Sequence, residues 1–132
     1  MYLVDTSVWI DYFRNKDNTS TVKFASILDR GLPFGLTGVI YQEILQGAVS
    51  EMDFNQLKDY LSTQRFFHPK DEIITHEGAA KLFYLCRRKG ITIRSTIDCL
   101  IAQIAIDYGL VILHNDQDYN RIQSIVPELL LE

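Results

Sequence analysis

The sequence has little of what membrane or secreted proteins need. Its 132 residues contain no apolar run near the roughly 20 residues that cross a bilayer. The first residues also lack the basic segment and apolar stretch of a secretory signal. Only two cysteines occur, Cys86 and Cys99, and they form no CxxC pair. Both lie in apolar, helix-like surroundings, so we expect buried free thiols in a reducing cytoplasm rather than a disulfide or a metal site.

Basic residues are also scarce. Thirteen Lys and Arg against seventeen Asp and Glu give a net charge of −4. This balance argues against a passive nucleic-acid coat protein, because such proteins are normally basic. It is compatible with an enzyme that acts on nucleic acid through metal ions, because clustered carboxylates lower the net charge locally. The segment from Ser95 to Asn120 contains no lysine or arginine, so no nearby sequence neighbour can supply a cation to Asp98 within it.

Short apolar runs alternate with amphipathic segments along the chain. The predicted strands are Tyr2–Val4, Leu32–Thr37, Arg65–His68, Leu110–Leu113 and a final run Leu129–Leu131. The predicted helices follow Asp5 and Asn18, and then cover Val39–Ala48, Met52–Leu61, Asp71–Lys89, Ser95–Tyr108 and Gln117–Ile125. Strands separated by one or two helices favour a parallel sheet. We therefore expect residues 1–132 to form one α/β domain, with a central parallel sheet of about four to five strands and helices on both faces.

Two predicted strands run directly into acidic side chains. Asp5 follows its strand at once, and Asp116 comes three residues after Leu113. Ligands of such sheets bind outside the carboxyl ends of the strands, so both carboxylates are expected at one common edge. Each also has an ordinary structural interpretation, Asp5 as the N-cap of a helix and Asp116, like Asp118, as a turn former.

Two further acids lie on apolar helices. Asp98 ends the stretch Ser95 to Asp98, which fits a capping box. Yet no polar residue follows it before Gln103, which predicts a carboxylate at the mouth of a buried helix, where it is costly without a cation. Glu43 lies among large apolar residues, although an exposed helix face is the ordinary interpretation of any glutamate.

The acids indicate a metal site more strongly together than singly. They are Asp5, Glu43, Asp98 and Asp116. Close carboxylates raise one another's pKa unless a divalent cation gathers them, and oxygen ligands favour Mg²⁺ or Mn²⁺. Zinc is not indicated, because the three histidines lack the spacing of zinc ligands.

Four stretches in this order resemble a known family. They are YLVDTSVWIDYF at residues 2–13, YQEI at 41–44, IRSTIDCLIA at 93–102 and LHNDQDY at 113–119. Over nearly its whole length the chain is similar to PIN-domain proteins of the VapC type, the ribonuclease half of a bacterial toxin–antitoxin pair. Asp118 matches a frequent fifth acid of the family, and Ser7 a small hydroxyl position. His114 departs from the threonine or serine that many relatives have there.

The resemblance implies the toxin of a type II toxin–antitoxin system, a cytoplasmic endoribonuclease that cleaves RNA with Mg²⁺, or with Mn²⁺ as a substitute. The acidic quartet of the family falls on Asp5, Glu43, Asp98 and Asp116. Asp5, Asp98 and Asp116 would hold the metal, and Glu43 would complete the shell or position the attacking water. A VapB-like antitoxin and a homodimer are also implied. The alternative is a catalytically weak PIN scaffold that binds RNA or protein.

Contacts with substrate and partner are expected elsewhere on the chain. Arg94 and the basic turn Arg87–Lys89 are candidates for RNA phosphate contacts, although a basic turn at a helix C-terminus also has an ordinary structural role. Trp9, Tyr12 and Phe13 are expected in the core or at a protein interface, where apolar side chains near them would offer a groove for an amphipathic helix.

Two other enzyme classes share a strand that ends in aspartate. A haloacid-dehalogenase-like phosphatase needs a second acid two positions later, where this chain has Ser7. A phospho-accepting receiver needs an acidic pair after its first strand and a lysine after its last, and neither is present. Both classes are therefore disfavoured.

Overall fold

The computed structural model describes all 132 residues and contains four strands and seven helices. The strands are β1 (Tyr2–Val4), β2 (Phe34–Gly35), β3 (Val111–Leu113) and β4 (Leu130–Leu131). The helices are α1 (Thr6–Phe13), α2 (Thr19–Asp29), α3 (Gly38–Gln46), α4 (Glu51–Leu61), α5 (Glu72–Arg88), α6 (Thr96–Tyr108) and α7 (Gln117–Ile125). None of these helices combines the length and the hydropathy that a membrane span requires.

All four strands form one parallel sheet in the order β2-β1-β3-β4. The chain moves from β1 to β2 on one side and then places β3 and β4 on the other, so the winding reverses between β1 and β3. The carboxyl ends of these two strands adjoin, because the backbone N–H of Asp5 donates to the carbonyl of Leu113 at 3.0 Å. The expected parallel α/β sheet is confirmed, and the reversal lies where the two strand-end acids begin.

Helices cover both faces of the sheet. Successive strand residues point to opposite faces, yet Leu3 and Val4 are both fully buried, as are Ile112 and Leu113. The helices pack into two groups, α1 to α4 and α5 to α7. Two covered faces explain why β1 and β3 are continuous apolar runs rather than alternating ones.

The second and third predicted strands are shorter than expected. Only Phe34 and Gly35 form β2, and the predicted strand Arg65–His68 makes a single bridge, from Phe66 to Leu36. The two segments approach very closely, since a Cβ on Gly35 would lie 2.6 Å from the carbonyl oxygen of Arg65. Proline limits both, because Pro33 and Pro69 have no N–H to extend a ladder.

The helices agree with the sequence patterns more closely. Their ends differ from the predicted ones by no more than about two residues, since N-caps and terminal glycines are local signals. Gly109 ends α6 with a φ of 66°, a left-handed conformation that glycine adopts without strain. Cys86 and Cys99 are buried free thiols, as expected.

Candidate active site

Asp5 lies between β1 and α1 and is held by three donors. Its Oδ2 accepts the backbone N–H of Ser7 at 3.1 Å and the Ser7 hydroxyl at 2.7 Å. Its Oδ1 accepts the hydroxyl of Tyr119 at 2.7 Å. Only 5% of Asp5 is exposed, so these groups take the place of water. The N-cap interpretation is therefore correct, and it also fixes the carboxylate in one orientation at the sheet edge.

Asp116 lies across the same edge as the N-cap of α7. Its Oδ1 accepts the backbone N–H of Asp118 at 2.9 Å, and about a third of its side chain is exposed, at 31%. Its backbone N–H donates to Nδ1 of His114 at 3.1 Å. Burial lowers the pKa of His114, which favours the neutral imidazole that this bond requires. The imidazole thus accepts a backbone N–H of the loop that leads into α7.

Asp98 has the least favourable surroundings of the acids for a charged carboxylate. It lies in the first turn of α6, is 8% exposed, and its Oδ2 has no hydrogen-bond partner. Burial, followed by the charges of Asp116 and Asp5, raises the pKa of Asp98 to about 8. Ser95 makes no side-chain cap bond, so the capping-box interpretation is wrong. The Asp98 side chain lies among the other carboxylates instead of bonding to the start of its own helix.

Glu43 reaches the same region from α3. Its Oε1 accepts the hydroxyl of Thr6 at 2.8 Å across the gap between α1 and α3. Burial is the main cause of its raised pKa, the Thr6 bond opposes the shift, and the charges of Asp5 and Asp116 add to it. The exposed-face interpretation is therefore wrong, because Glu43 is half-buried and shares the electrostatic field of the strand-end acids.

Asp118 is close to the acids but is already paired. Carboxylate oxygens of Asp98, Asp116 and Asp118 all lie within 4.8 Å of one another. However, Asp118 accepts Nη1 of Arg121 at 2.7 Å and the backbone N–H of Arg94 at 3.0 Å. Asp118 thus has a cationic partner, because Arg121, which lies just outside the lysine- and arginine-free segment, reaches back to it.

Sequence reasoning missed the side chains that orient the acids. Thr6 holds Glu43, and Tyr119 holds Asp5 although it lies 114 positions away. Thr6 had a local signal, since it follows the strand-end aspartate directly. Tyr119 had only the weak signal of a phenol at a buried position of α7, because a buried hydroxyl needs a partner.

The donor set fits a hard divalent cation. It is made of carboxylate oxygens only, and the partnerless Oδ2 of Asp98 is a buried polar atom that no protein group satisfies. A cation beside it would also offset the burial and the repulsion by Asp116 and Asp5 that raise the pKa of Asp98. Asp5, Asp98 and Asp116 are the residues that can hold such an ion, with Glu43 next to them.

The aromatic candidates of α1 and the basic turn at the end of α5 are not among the groups that contact the acids. Trp9 is fully buried, edge-on to Phe24 with 4.8 Å between the ring centroids, which confirms the core alternative for this residue. Phe13 is 38% exposed on the same helix. Arg87 and Arg88 end α5, and their guanidinium groups lie over aromatic rings of that helix, which fits an ordinary helix terminus.

Comparison with known proteins identifies the family. The PIN domain family matches residues 2–125. The chain is 33% identical over 126 residues to a VapC ribonuclease of Mycobacterium bovis and to ribonuclease VapC11 of Mycobacterium tuberculosis, and each match covers 95% of this chain and 93% of the relative. Both matches extend almost from end to end.

Solved structures share the fold at lower identity. VapBC2 from Rickettsia felis, bound to a DNA fragment from its promoter, and VapBC-1 from nontypeable Haemophilus influenzae each align with a TM-score of 0.72 at 20% identity, over 99% of this chain and 96% of theirs. FitAcB from Neisseria gonorrhoeae aligns with a TM-score of 0.71 at 18% identity over the same shares of the two chains. The chain therefore belongs to the VapC family of PIN-domain proteins.

Proposed function

We propose that this chain is the toxin of a type II toxin–antitoxin pair and a magnesium-dependent endoribonuclease. The observation that supports this most directly is the buried, partnerless Oδ2 of Asp98 beside two strand-end aspartates. A carboxylate in that position is costly to the fold, and it is accounted for by a cation that binds phosphate. The names of the mycobacterial relatives, both ribonucleases, agree with this activity.

The residues of the site have distinct tasks in this proposal. Asp5, Asp98 and Asp116 would hold Mg²⁺, with Mn²⁺ as a substitute. The bound ion would supply Lewis acidity toward water and toward a phosphate oxygen. Glu43 is anchored through Oε1 by Thr6, which leaves its Oε2 free to take a proton. Its raised pKa makes it a better proton acceptor than an ordinary glutamate.

Arg94 is the residue best placed to bind the RNA backbone. Its backbone N–H is fixed by Asp118 at 3.0 Å, while its guanidinium is 74% exposed. That group lies 4.0 Å from Asp116 and 3.9 Å from Asp118, beyond ordinary hydrogen-bond distance. An anchored backbone with an exposed cationic end suits contact with a phosphate beside the acids.

The test is a cleavage assay on RNA with single-stranded loops. The purified chain should cut with Mg²⁺ or Mn²⁺ and stop in chelator. Asp98→Asn keeps the size of the side chain but removes its charge, so turnover should fall at least roughly a hundredfold. Asp59→Asn, a change of an exposed acid on α4, is the matched control and should cut normally. RNA binding without cleavage would favour the weak-scaffold alternative, and cutting in chelator would exclude the metal.

A VapB-like antitoxin belongs to the same proposal. A cavity of about 260 Å³ opens between α1, α3 and α4 and is lined by Phe13, Ile44, Val49 and Leu57 among others. Val49 is 90% exposed, which leaves apolar surface at its rim. An amphipathic helix with large apolar side chains fits such a groove. An arginine or lysine of the same peptide could reach the acids, because Ile44 follows Glu43 on α3.

A homodimer is the last part of the proposal. One end of α5 is acidic and the other basic, and the helix exposes apolar side chains near both ends. The acids are Asp71, Glu72 and Glu77, the bases are Arg87 and Arg88, and the apolar residues are Ile73, Ile74 and Tyr84. Two copies of such a helix, antiparallel about a two-fold axis, bring each acidic end against a basic end. The α5 surface is therefore self-complementary in charge.

A further inference from the structure

Asn115 connects the two strand ends that bear Asp5 and Asp116. The residue is exposed, yet its backbone N–H and both side-chain polar atoms have protein partners. The N–H donates to Oγ of Ser7 at 3.1 Å, and Nδ2 donates to Oδ2 of Asp11 at 3.1 Å. Oδ1 lies 2.5 Å from Oγ of Ser20. An exposed amide that could bond to water is instead held at three points.

The partners of Asn115 are themselves fixed. Ser20 is 7% exposed on α2, and its hydroxyl also lies 2.9 Å from the carbonyl oxygen of His114, so its one proton is shared between two acceptors of the same loop. Asp11 on α1 also accepts Nδ2 of Asn18 at 3.0 Å. The loop before Asp116 is therefore tied to two helices at once.

The same residue controls the hydroxyl that orients Asp5. Because Oγ of Ser7 accepts the Asn115 N–H, its own proton is left to donate to Oδ2 of Asp5 at 2.7 Å. Asp116 is the next residue along the chain. A shift of the loop would move Asp116 and loosen the Ser7–Asp5 bond together.

We propose that Asn115, held by Ser20 and Asp11, is a positioning residue that fixes the separation of Asp5 and Asp116 and thereby sets the affinity for the divalent cation. This inference rests on the proposed function, since it requires a cation between those acids. Groups that orient metal ligands without touching the metal typically change metal affinity by about 10–100-fold when they are removed.

The test is a calorimetric titration of the full chain with Mg²⁺ and with Mn²⁺, without RNA. Asn115→Ala should weaken binding of both ions by about tenfold. Asn120→Ala is the matched control, since Asn120 is an exposed asparagine of α7 without a side-chain hydrogen bond, and it should bind like the unaltered chain. Ser20→Ala removes the other half of the contact and should act in the same direction as Asn115→Ala, whereas Ser20→Thr keeps the hydroxyl and should retain the affinity.

A thermal midpoint measured beside each titration separates positioning from mere stability. A lower midpoint with unchanged cation affinity in Asn115→Ala would overturn the inference. If Asn115→Ala does not fold, the difference between Ser20→Ala and Ser20→Thr decides the question. Cation binding that Asp98→Asn abolishes but Asn115→Ala leaves intact refutes the positioning role alone. No cation binding by the unaltered chain refutes the proposed function as well.

Discussion

The hydroxyl of Tyr119 donates to Oδ1 of Asp5 at 2.7 Å, although the two residues are 114 positions apart in the sequence. Tyr119 is fully buried. Burial first, and the charge of Asp5 second, raise its pKa well above the ordinary value, so the phenol keeps its proton and remains a donor. Helix α7 thus holds the carboxylate of Asp5 in one orientation.

Removing this bond tests how far the site depends on it. Tyr119→Phe keeps the ring and deletes the donor, so the free energy of unfolding should fall by about 1–2 kcal/mol. RNA cleavage should fall by about tenfold, because Asp5 then rotates more freely. Tyr108→Phe is the control, since that phenol donates to the carbonyl of His68, which lies outside the acidic edge. Lower stability with full cleavage would show that Asp5 is oriented by Ser7 alone.

The buried charge of Asp98 makes stability depend on pH when no metal is bound. Its pKa is raised from 3.8 in the unfolded chain to about 8 in the fold. Its contribution to stability is therefore full below about pH 4 and is lost as the pH rises through about 8. Urea unfolding in chelator should give a smaller free energy of unfolding at pH 9 than at pH 5.

Asp98→Asn removes the titrating group and should flatten this dependence. At pH 9 the variant should be more stable than the unaltered chain by at least about 1 kcal/mol, because the fold no longer has to bury a charged carboxylate. Added Mg²⁺ should flatten the curve of the unaltered chain in the same way. Parallel curves for the two proteins would mean that other groups cause the pH dependence.

Thr6 offers a way to change the pKa of Glu43 without changing Glu43. The Thr6 hydroxyl lowers that pKa and burial raises it, so Thr6→Val should raise it further. The acidic limb of the pH profile of RNA cleavage should then move to higher pH, because Glu43 must be deprotonated to take a proton. Thr6→Ser keeps the hydroxyl and should leave the profile unchanged. An acidic limb that stays in place in Thr6→Val would assign that limb to another group.

The two proposed interfaces can be separated by a pair of surface changes. Leu57→Arg places a charge in the cavity between α1, α3 and α4 and should reduce capture of the co-expressed antitoxin by at least about a hundredfold, leaving the dimer intact. Ile74→Glu adds a negative charge to the exposed surface of α5 and should shift the protein to a monomer in sedimentation, leaving antitoxin capture intact. Each variant is the control for the other. If Leu57→Arg disrupted the dimer and Ile74→Glu disrupted antitoxin capture, the two surfaces would have been assigned to the wrong partners.

Local signals in the sequence predicted most of the fold. The apolar runs of β1 and β3, the cap at Asp5 and the glycine after α6 are all visible within a few neighbouring residues. Reliance on local signals also explains the wrong capping-box interpretation of Asp98. That pattern describes one helix end only, whereas this carboxylate is buried because it lies at the edge of the sheet.

Contacts between distant residues could not be predicted from one sequence. Helical spacing places Trp9 and Phe13 on one side of α1, but only the packing of α2 shows that the indole is buried and the phenyl ring remains at the surface. The bond from Arg121 to Asp118 likewise forms only because one turn of α7 brings the two side chains together. Tyr119 and Asp5 meet only because β1 and β3 are neighbours.

The outer strands of the sheet determine how other chains can attach. Phe34 and Gly35 alone form β2, and just beyond them Leu36 is already bonded to Arg65 and Phe67. The opposite strand, β4, is only Leu130 and Leu131. Edge strands this short present almost no open row of backbone N–H and C=O groups, so a strand of another chain could not extend the sheet by pairing with them. Short edge strands favour attachment through side chains seated between helices, where the choice of partner can evolve by substitutions on helix surfaces while the sheet stays unchanged.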